Sequence, residues 1–451
     1  MGTVCHLVGV AGVGMNPLAQ ALLAAGFEVT GSDRFLDQGR DLDVIPKLER
    51  AGVRFFPQDG SGVTPATRAV VVSTAIEKGN ADLEAAARLG IPVKHRAEML
   101  AELASDRECI AIAGTSGKTT VTGMVGYLLE QLGDDPTVVN GGIVANWEDA
   151  DRIGNVRAGR SRRWVVEADE SDRSLLRFQP DWAIITNMSA DHFPLEETKA
   201  LFAQFAAQVK KGIVGRDDAA EPWASFRPEI GADGSRFRYG GVSFRVPVLG
   251  RHNAENALQA ALLCERLGHP LERVAGALAG FRGIRRRLEV AGRARGVTVI
   301  DDYGHNTAKI RAAWETVAPF HRRAIVAWRP HGFGPLAAMY KDLRALFREM
   351  VGRGVVLHLL PVFYAGGTAK SEVSSERLAR DLAADGAPAD LVPDLDALTA
   401  RVAAEAREGD VVLVMGARDP DLPTTARRIV EAVRRGSGPD DSRQDAKAQR
   451  T

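Results

Sequence analysis

Cysteine is scarce in this chain: Cys5, Cys109 and Cys264 are the only three in 451 residues, widely spaced and each in an apolar setting. That pattern excludes a disulfide framework and a clustered thiolate zinc site, and it suits buried free thiols in a reducing compartment. Net charge is also missing, because 58 Lys and Arg balance 58 Asp and Glu. Non-specific binding to nucleic acid therefore lacks its usual electrostatic driver. No apolar run approaches the roughly 18 residues that would span a bilayer. Met1 to Val10 enters an apolar stretch without a basic n-region or a small-residue cleavage site, so no secretory leader is expected. The chain shows no internal repeat of short period. These absences predict a cytoplasmic protein with no nucleic-acid partner and no membrane insertion. The length corresponds to about three domains, which excludes a peptide hormone or a lone binding module.

Short β-branched runs alternate with amphipathic stretches along almost the whole chain, the pattern of an α/β protein with mainly parallel sheets. The runs are Val4 to Val10, Ala69 to Ser73, Cys109 to Ala113, Trp164 to Glu167, Trp182 to Thr186, Val297 to Asp301, Ala324 to Trp328, Val355 to Leu360 and Val411 to Met415. A charged helical segment, Arg96 to Arg107, and a Gly/Arg-rich stretch, Gly280 to Arg287, mark joints near residues 106 and 284. The expected domains are 1–106, 107–283 and 284–436, followed by a polar tail, 437–451, expected to be disordered.

Two glycine loops follow strands. In the first, Gly9 to Gly14, Gly12 and Gly14 would let the backbone approach a diphosphate, and Asp33 stands about 20 residues on, where a ribose hydroxyl would be read. A tight turn without ligand is the competing reading, and the glycine spacing is not that of the usual dinucleotide fingerprint. The second loop, Gly114-Thr115-Ser116-Gly117-Lys118-Thr119-Thr120, is a shortened phosphate loop with Ile112 where the strict pattern has glycine. Its backbone would wrap phosphates, Lys118 would reach the terminal ones, and the Thr119 hydroxyl would hold Mg²⁺. This second loop argues against a nicotinamide dehydrogenase.

Acids and polar groups cluster at the ends of later strands. Glu167, Asp169, Glu170 and Asp172 are hard oxygen ligands suited to Mg²⁺. His192, after the next strand, is either a second metal ligand or an ordinary loop histidine. Asn253 and Asn256 share one helical face and would either read an adenine edge or cap the helix. Arg285 to Arg287 is either a charged surface or a clamp on a transferring phosphoryl group. Asp301 to His305 follows a strand where an α/β domain binds ligands.

The order of these motifs, GSD, GTSGKTT, VVEADESD, TNMSADH, GRHNAENA, RRRLEV and DDYGHN after the first loop, resembles the Mur ligase family of ATP-dependent amide ligases over all but the tail. The alanine-adding branch is the nearest in pattern, with some features of the branch that recycles murein tripeptide. The resemblance implies an N-terminal Rossmann-like domain for a UDP-sugar acid, a central P-loop ATPase domain and a C-terminal Rossmann-like domain for the amine. It implies Lys118, Glu167, His192 and Arg287 as catalytic residues, with Mg²⁺ on Thr119, Glu167 and His192. The nucleotide would meet Gly114 to Thr120, Asn253, Asn256, Asp302 and His305, and the UDP-sugar would meet Gly12, Gly14, Asp33 and Ser73. The implied reaction converts a carboxylate to an acyl phosphate with ATP and then to an amide, adding L-alanine to UDP-N-acetylmuramate or, alternatively, joining another acid and amine, including a recycled peptide. Ser116, Asn306 and Gly332 stand where the family pattern has histidine, histidine and arginine, which removes donors on the substrate side.

Overall fold

The computed structural model describes residues 3–40, 42–77, 79–189, 193–216, 220–363 and 373–436, so the tail and His192 lie outside the described residues. The chain divides into two compact units, residues 1–230 with 234–284, and residues 231–233 with 285–451. Among the described residues no helix is long and apolar enough to cross a membrane.

The first unit carries two parallel sheets. In the N-terminal one, β1 (Val4–Val8), β2 (Glu28–Ser32), β3 (Arg54–Phe55), β4 (Thr67–Val72) and β5 (Val93–His95) lie in the order β3-β2-β1-β4-β5. All their pairings are parallel. In the second, β6 (Glu108–Ala113), β7 (Thr137–Val139), β8 (Val156–Arg157), β9 (Arg163–Glu167), β10 (Trp182–Ile185) and β11 (Gly212–Val214) run in the order β11-β10-β6-β9-β7-β8. Only the β7–β8 pair is antiparallel there. A small sheet of β12 (Glu229–Gly231), β13 (Gly234–Tyr239) and β14 (Val242–Val246) precedes the helix Arg251–Arg266.

Strand β6 is covered on both faces, as its unbroken apolar run Cys109 to Ala113 requires. One side packs on Val121, Met124, Leu128, Leu258 and Leu262. The other joins a core that includes Leu7, Leu18, Leu22, Met99, Trp164 and Phe202, so one apolar cluster runs from the first sheet into the second. Cys5, Cys109 and Cys264 are free and buried, and burial pushes their thiols up to about 11, 12 and 12.

The second unit holds β15 (Glu289–Ala294), β16 (Val297–Asp302), β17 (Arg323–Arg329), β18 (Val356–Leu359), β19 (Asp390–Leu391) and β20 (Asp410–Gly416) in the order β15-β16-β20-β17-β18-β19. Strand β15 is antiparallel to β16 and the others pair in parallel.

A buried polar knot ties the N-terminal sheet together. Asp82 Oδ2 accepts from Ser32 Oγ at 2.5 Å and lies 3.4 Å from His6 Nε2, while Oδ1 accepts from the Gly60 N–H at 3.0 Å. The other His6 ring nitrogen is 2.9 Å from Thr30 Oγ1. Burial raises the Asp82 carboxyl, but these donors outweigh it and hold it below its ordinary range. Asp82→Ala is expected to cost about 2–4 kcal/mol in urea unfolding at pH 7, because His6 and Ser32 lose their acceptor. A carboxyl lowered in the folded state stabilises above its unfolded value and loses that contribution as pH falls through its folded one. The difference between wild type and variant should therefore shrink in melts below about pH 4.

Candidate functional site

Adjacent strands β10, β6 and β9 deliver three loops to one sheet edge, 186–189, 114–117 and 168–172, outside the carboxyl ends where open α/β sheets bind ligands. Gly114 has φ +135°, and a Cβ there would run into Thr186 Oγ1. Gly117 has φ +86°, and its Cβ would come 2.9 Å from Asn256 Oδ1. Both positions therefore need glycine. The loop is clasped from β10: the Ser116 carbonyl accepts from Thr186 Oγ1 at 2.6 Å and Asn187 Nδ2 at 2.8 Å, and Ser116 N–H donates to Asn187 Oδ1 at 3.1 Å. Thr115 N–H donates to the Asn187 carbonyl at 3.1 Å. Ser116 is exposed and Thr120 is buried in the first turn of the helix Lys118–Gln131, whose free N–H groups face the loop.

Lys118 is the first residue of that helix. Its Nζ donates to the Gly114 carbonyl at 2.9 Å and to Glu170 Oε2 at 2.5 Å, with Asp169 Oδ1 at 3.9 Å. Glu170 is 2% exposed, and burial raises its carboxyl despite the lysine. Thr119 Oγ1 donates to Glu167 Oε1 at 2.9 Å, and Glu167 Oε2 accepts from the Gly141 N–H at 2.8 Å. Two of the three residues expected to hold metal are thus brought together. No group of three or more His, Cys, Asp or Glu with metal-binding geometry occurs among the described residues.

Asn253 and Asn256 are buried and committed locally. Asn256 Nδ2 donates to Asn253 Oδ1 at 3.1 Å, and Asn253 Nδ2 donates to the Leu249 carbonyl at 2.7 Å. The helix cap is Gly250 rather than Asn253. In the first glycine loop Gly12 N–H donates to the Gly9 carbonyl at 3.0 Å. Gly14 packs along the Arg96 guanidinium, 3.4 Å from the site a Cβ would take. Asp33 is spent on backbone: Oδ2 accepts from Ala11 N–H at 3.1 Å and Oδ1 from Phe35 N–H at 3.0 Å, capping a short helix. Ser73 is half-buried, and its loop places Ile76 3.5 Å from the Cβ position of Gly9.

Arg287, Asp302 and His305 form a second group, in the C-terminal unit. Asp302 accepts from the N–H groups of Leu288 at 2.8 Å and Gly304 at 2.7 Å, yet burial still raises it. Burial, with Lys309, His331 and Arg287 nearby, holds His305 down to about 4, so its imidazole is neutral at pH 7. Arg286 and Leu288, on either side of Arg287, have φ of +61° and +47°. Gly332 has φ +136°, a conformation a side-chain-bearing residue rarely adopts, and Asn306 caps the helix Thr307–Val317 by accepting from Lys309 N–H at 2.9 Å.

Two participants carry no role in the residues singled out from the chain, Asn187, which clasps the loop, and Arg96, between the first glycine loop and Asp169, 3.8 Å from its carboxylate; a third, Glu170, expected among the Mg²⁺ ligands, is the counter-ion of Lys118. Glu170 and Asn187 sit in motifs visible in the chain, but their partners lie 52 and 71 residues away.

Comparison with known proteins gives matches in chain order to the Mur ligase family catalytic domain over residues 4–108, the Mur ligase middle domain over 112–221 and the Mur ligase glutamate ligase domain over 286–418. The chain is 35% identical to the UDP-N-acetylmuramate–L-alanine ligase of Dinoroseobacter shibae, covering 91% of this chain and 94% of that protein. It is also 35% identical to the ligase of the same name from Myxococcus xanthus, covering 92% of each. The fold is shared with the UDP-N-acetylmuramate-alanine ligase of Thermotoga maritima, with TM-score 0.75, 24% identity and coverage of 96% and 99%. It is shared also with a murein peptide ligase of Psychrobacter arcticus, with TM-score 0.61, 22% identity and coverage of 96% and 99%.

Asp301, beside this second group, is 1% exposed with neither carboxylate oxygen hydrogen-bonded, and Arg286 Nε stands 3.5 Å away. Burial, only partly offset by Arg286, pushes it up to about 7. The folded chain keeps this proton in a range where the unfolded chain has released it, so stability falls as pH rises from about 4 to about 7. Asp301→Asn should flatten that part of the curve of melting temperature against pH, and an unchanged slope would place the titration elsewhere.

Proposed function

The chain belongs to the Mur ligase family, and we propose that it joins L-alanine to UDP-N-acetylmuramate at the expense of ATP, in peptidoglycan synthesis. The observation that carries this reading is the clasped loop with Lys118, Thr119 and Glu167 in one place, on a chain that matches alanine ligases at 35% identity over nearly all of its length. We place the reaction in the cytoplasm, in keeping with three free buried thiols.

The terminal phosphoryl group of ATP moves to the sugar-acid carboxylate, releasing ADP. The amine of alanine then attacks the acyl carbon, phosphate leaves, and an amide remains. Lys118 supplies the mobile cation for the transferring group, and its hydrogen bond to the Gly114 carbonyl aims it along the loop. Glu170 holds the same ammonium until phosphates compete for it. The Thr119 hydroxyl and Glu167 carboxylate, 2.9 Å apart, fit Mg²⁺, which keeps several waters and takes one or two protein carboxylates. When bound there, the metal would neutralise charge on the terminal phosphates. His192 is assigned as a further metal ligand or an orienting group for the carboxylate.

Asn256 backs Gly117 and Asn253 steadies Asn256, so we assign both to holding the loop around the nucleotide. Gly12, Gly14 and Ser73 are assigned to the UDP-sugar, with Asp33 shaping the glycine loop through Ala11 N–H. Arg287 is assigned to charge on the transferring phosphoryl group, with Asp302 and His305 ordering the segment around it. Asn306 and Gly332 serve the backbone of their loops, the one as a cap and the other through its positive φ.

The decisive assay is ADP release across a matrix of UDP-sugar acids and amines, with products weighed by mass spectrometry. Turnover should require UDP-N-acetylmuramate and L-alanine together, and turnover with a peptide amine but not with alanine would overturn the reading. Lys118→Ala should lower turnover at least a hundredfold with an unchanged far-ultraviolet spectrum. It also strips Glu170 of its cation, so the folded-state value rises further and the variant should lose stability as pH climbs from the ordinary Glu value through that raised one. Glu167→Gln should raise the Mg²⁺ concentration needed for half-maximal rate about tenfold or more, read by titrating metal at saturating substrates.

A further inference from the structure

In the C-terminal unit, Tyr303 to His305 and Arg329 lie at the carboxyl ends of their strands, and a separate hollow of about 730 Å³ opens at the opposite, amino ends of β17 and β20. Small-molecule sites span roughly 300–1,000 Å³. Four arginines line it: Arg322 and Arg323 at the start of β17, Arg353 just past the helix Phe333–Gly352, and Arg407 ahead of β20. The two carboxylates that line it are already engaged. Asp410 accepts from Arg323 Nη2 at 2.6 Å and from Arg407 N–H at 2.8 Å, and Glu315 pairs with Arg311 at 3.4 Å.

Arg323 is thereby spent and the other three are not. Arg322 and Arg407 have no carboxylate partner among the described residues, and the ion pair of Arg353, to Glu349, is 3.7 Å long on a side chain 60% exposed. Their backbones are nevertheless fixed. Arg322 N–H donates to the Gly409 carbonyl at 2.8 Å, Arg407 N–H is held by Asp410, and the Arg353 guanidinium lies 4.6 Å over the buried Trp314 ring. Attraction of a cation to a helix C-terminus explains Arg353. It does not explain Arg322 or Arg407, which flank strand starts. Like charges on residues that line one hollow repel, and an anion would relieve that repulsion. His321, held below its ordinary range by burial and by Arg293, adds no further charge at pH 7.

We propose that this hollow is an anion site, distinct from the Asp302 to His305 end of the unit, that takes the phosphate or diphosphate end of a small metabolite. Two or three negative charges match the unspent guanidinium groups, whose forked donors suit phosphate oxygens. Trp314 is 2% exposed and covered by Arg353, which leaves that ring no open face on which to stack a nucleobase, so recognition is of phosphate.

The test is thermal unfolding of the full chain at low ionic strength with inorganic pyrophosphate, in wild type, Lys118→Ala and Arg322→Ser/Arg407→Ser. The site requires a midpoint rise of about 3 °C near five times the dissociation constant. The rise should persist in Lys118→Ala and vanish in the double variant, which keeps its ligand-free midpoint and its ligase activity. A rise lost in Lys118→Ala and kept in the double variant belongs to the phosphate loop and overturns the proposal. An equal rise with sulfate at matched ionic strength in all three proteins is a general salt effect and overturns it too. Should the double variant melt early without ligand, Arg322→Lys/Arg407→Lys keeps the charges and loses the forks. Calorimetry should then find pyrophosphate binding weakened about tenfold, and unchanged affinity would refute the site.

Discussion

Between the ends of β6 and β10 there is room for a hydrogen atom and no more, and the candidate site depends on that closeness. A side chain at residue 114 would collide with Thr186, and the chain turns there with φ +135°, so both space and backbone call for glycine. The turn brings the Ser116 carbonyl under two donors from β10 and starts a helix at Lys118. Placed so, Lys118 meets Glu170 and Thr119 meets Glu167, both from the loop end of β9. Local backbone geometry, set by one glycine, thus decides where the charges of the site stand.

Three buried carboxylates show how far compensation goes in this fold. Asp82 receives enough donors that burial is outweighed and its carboxyl sits low. Glu170 faces one ammonium at 2.5 Å, which is insufficient, so it sits high. Asp301 has only a guanidinium at 3.5 Å and rises to about 7. The well-compensated acid braces a sheet, whereas the poorly compensated ones lie at strand ends beside candidate binding residues. Carboxyls raised in this way are common at functional sites.

Much of this was legible in the chain. Each of the nine β-branched runs is a strand, because a parallel strand buried on both faces must be apolar throughout, and that composition is visible without context. The strands that escaped are short or peripheral, such as β3, β5 and β19, or belong to the β13–β14 hairpin, whose signal was the Gly240-Gly241 turn after alternating Phe237 and Tyr239. Site motifs were legible where the chemistry is local, as in the run from Gly114 to Thr120. Pairings between distant segments were not: nothing in either segment says that Gly117 rests on Asn256 or that Arg96 lines Gly14. Asp33 carries a second duty that its spacing does not announce. An acid at that distance suggests a ribose contact, and its oxygens also accept from N–H groups of the turn.

The apolar cluster that passes from Leu18 and Leu22 through Met99 to Trp164 and Phe202 has a consequence for how the chain can be divided. Sequence composition marks a joint near residue 106, yet the core is continuous across it. An amino-terminal fragment ending there would present the bare side of that cluster to water, and the complementary fragment would do the same. The two sheets should therefore be made, melted and inherited as one piece, and exchange of modules with other ligases is better cut near residue 284, where one compact unit ends and the next begins.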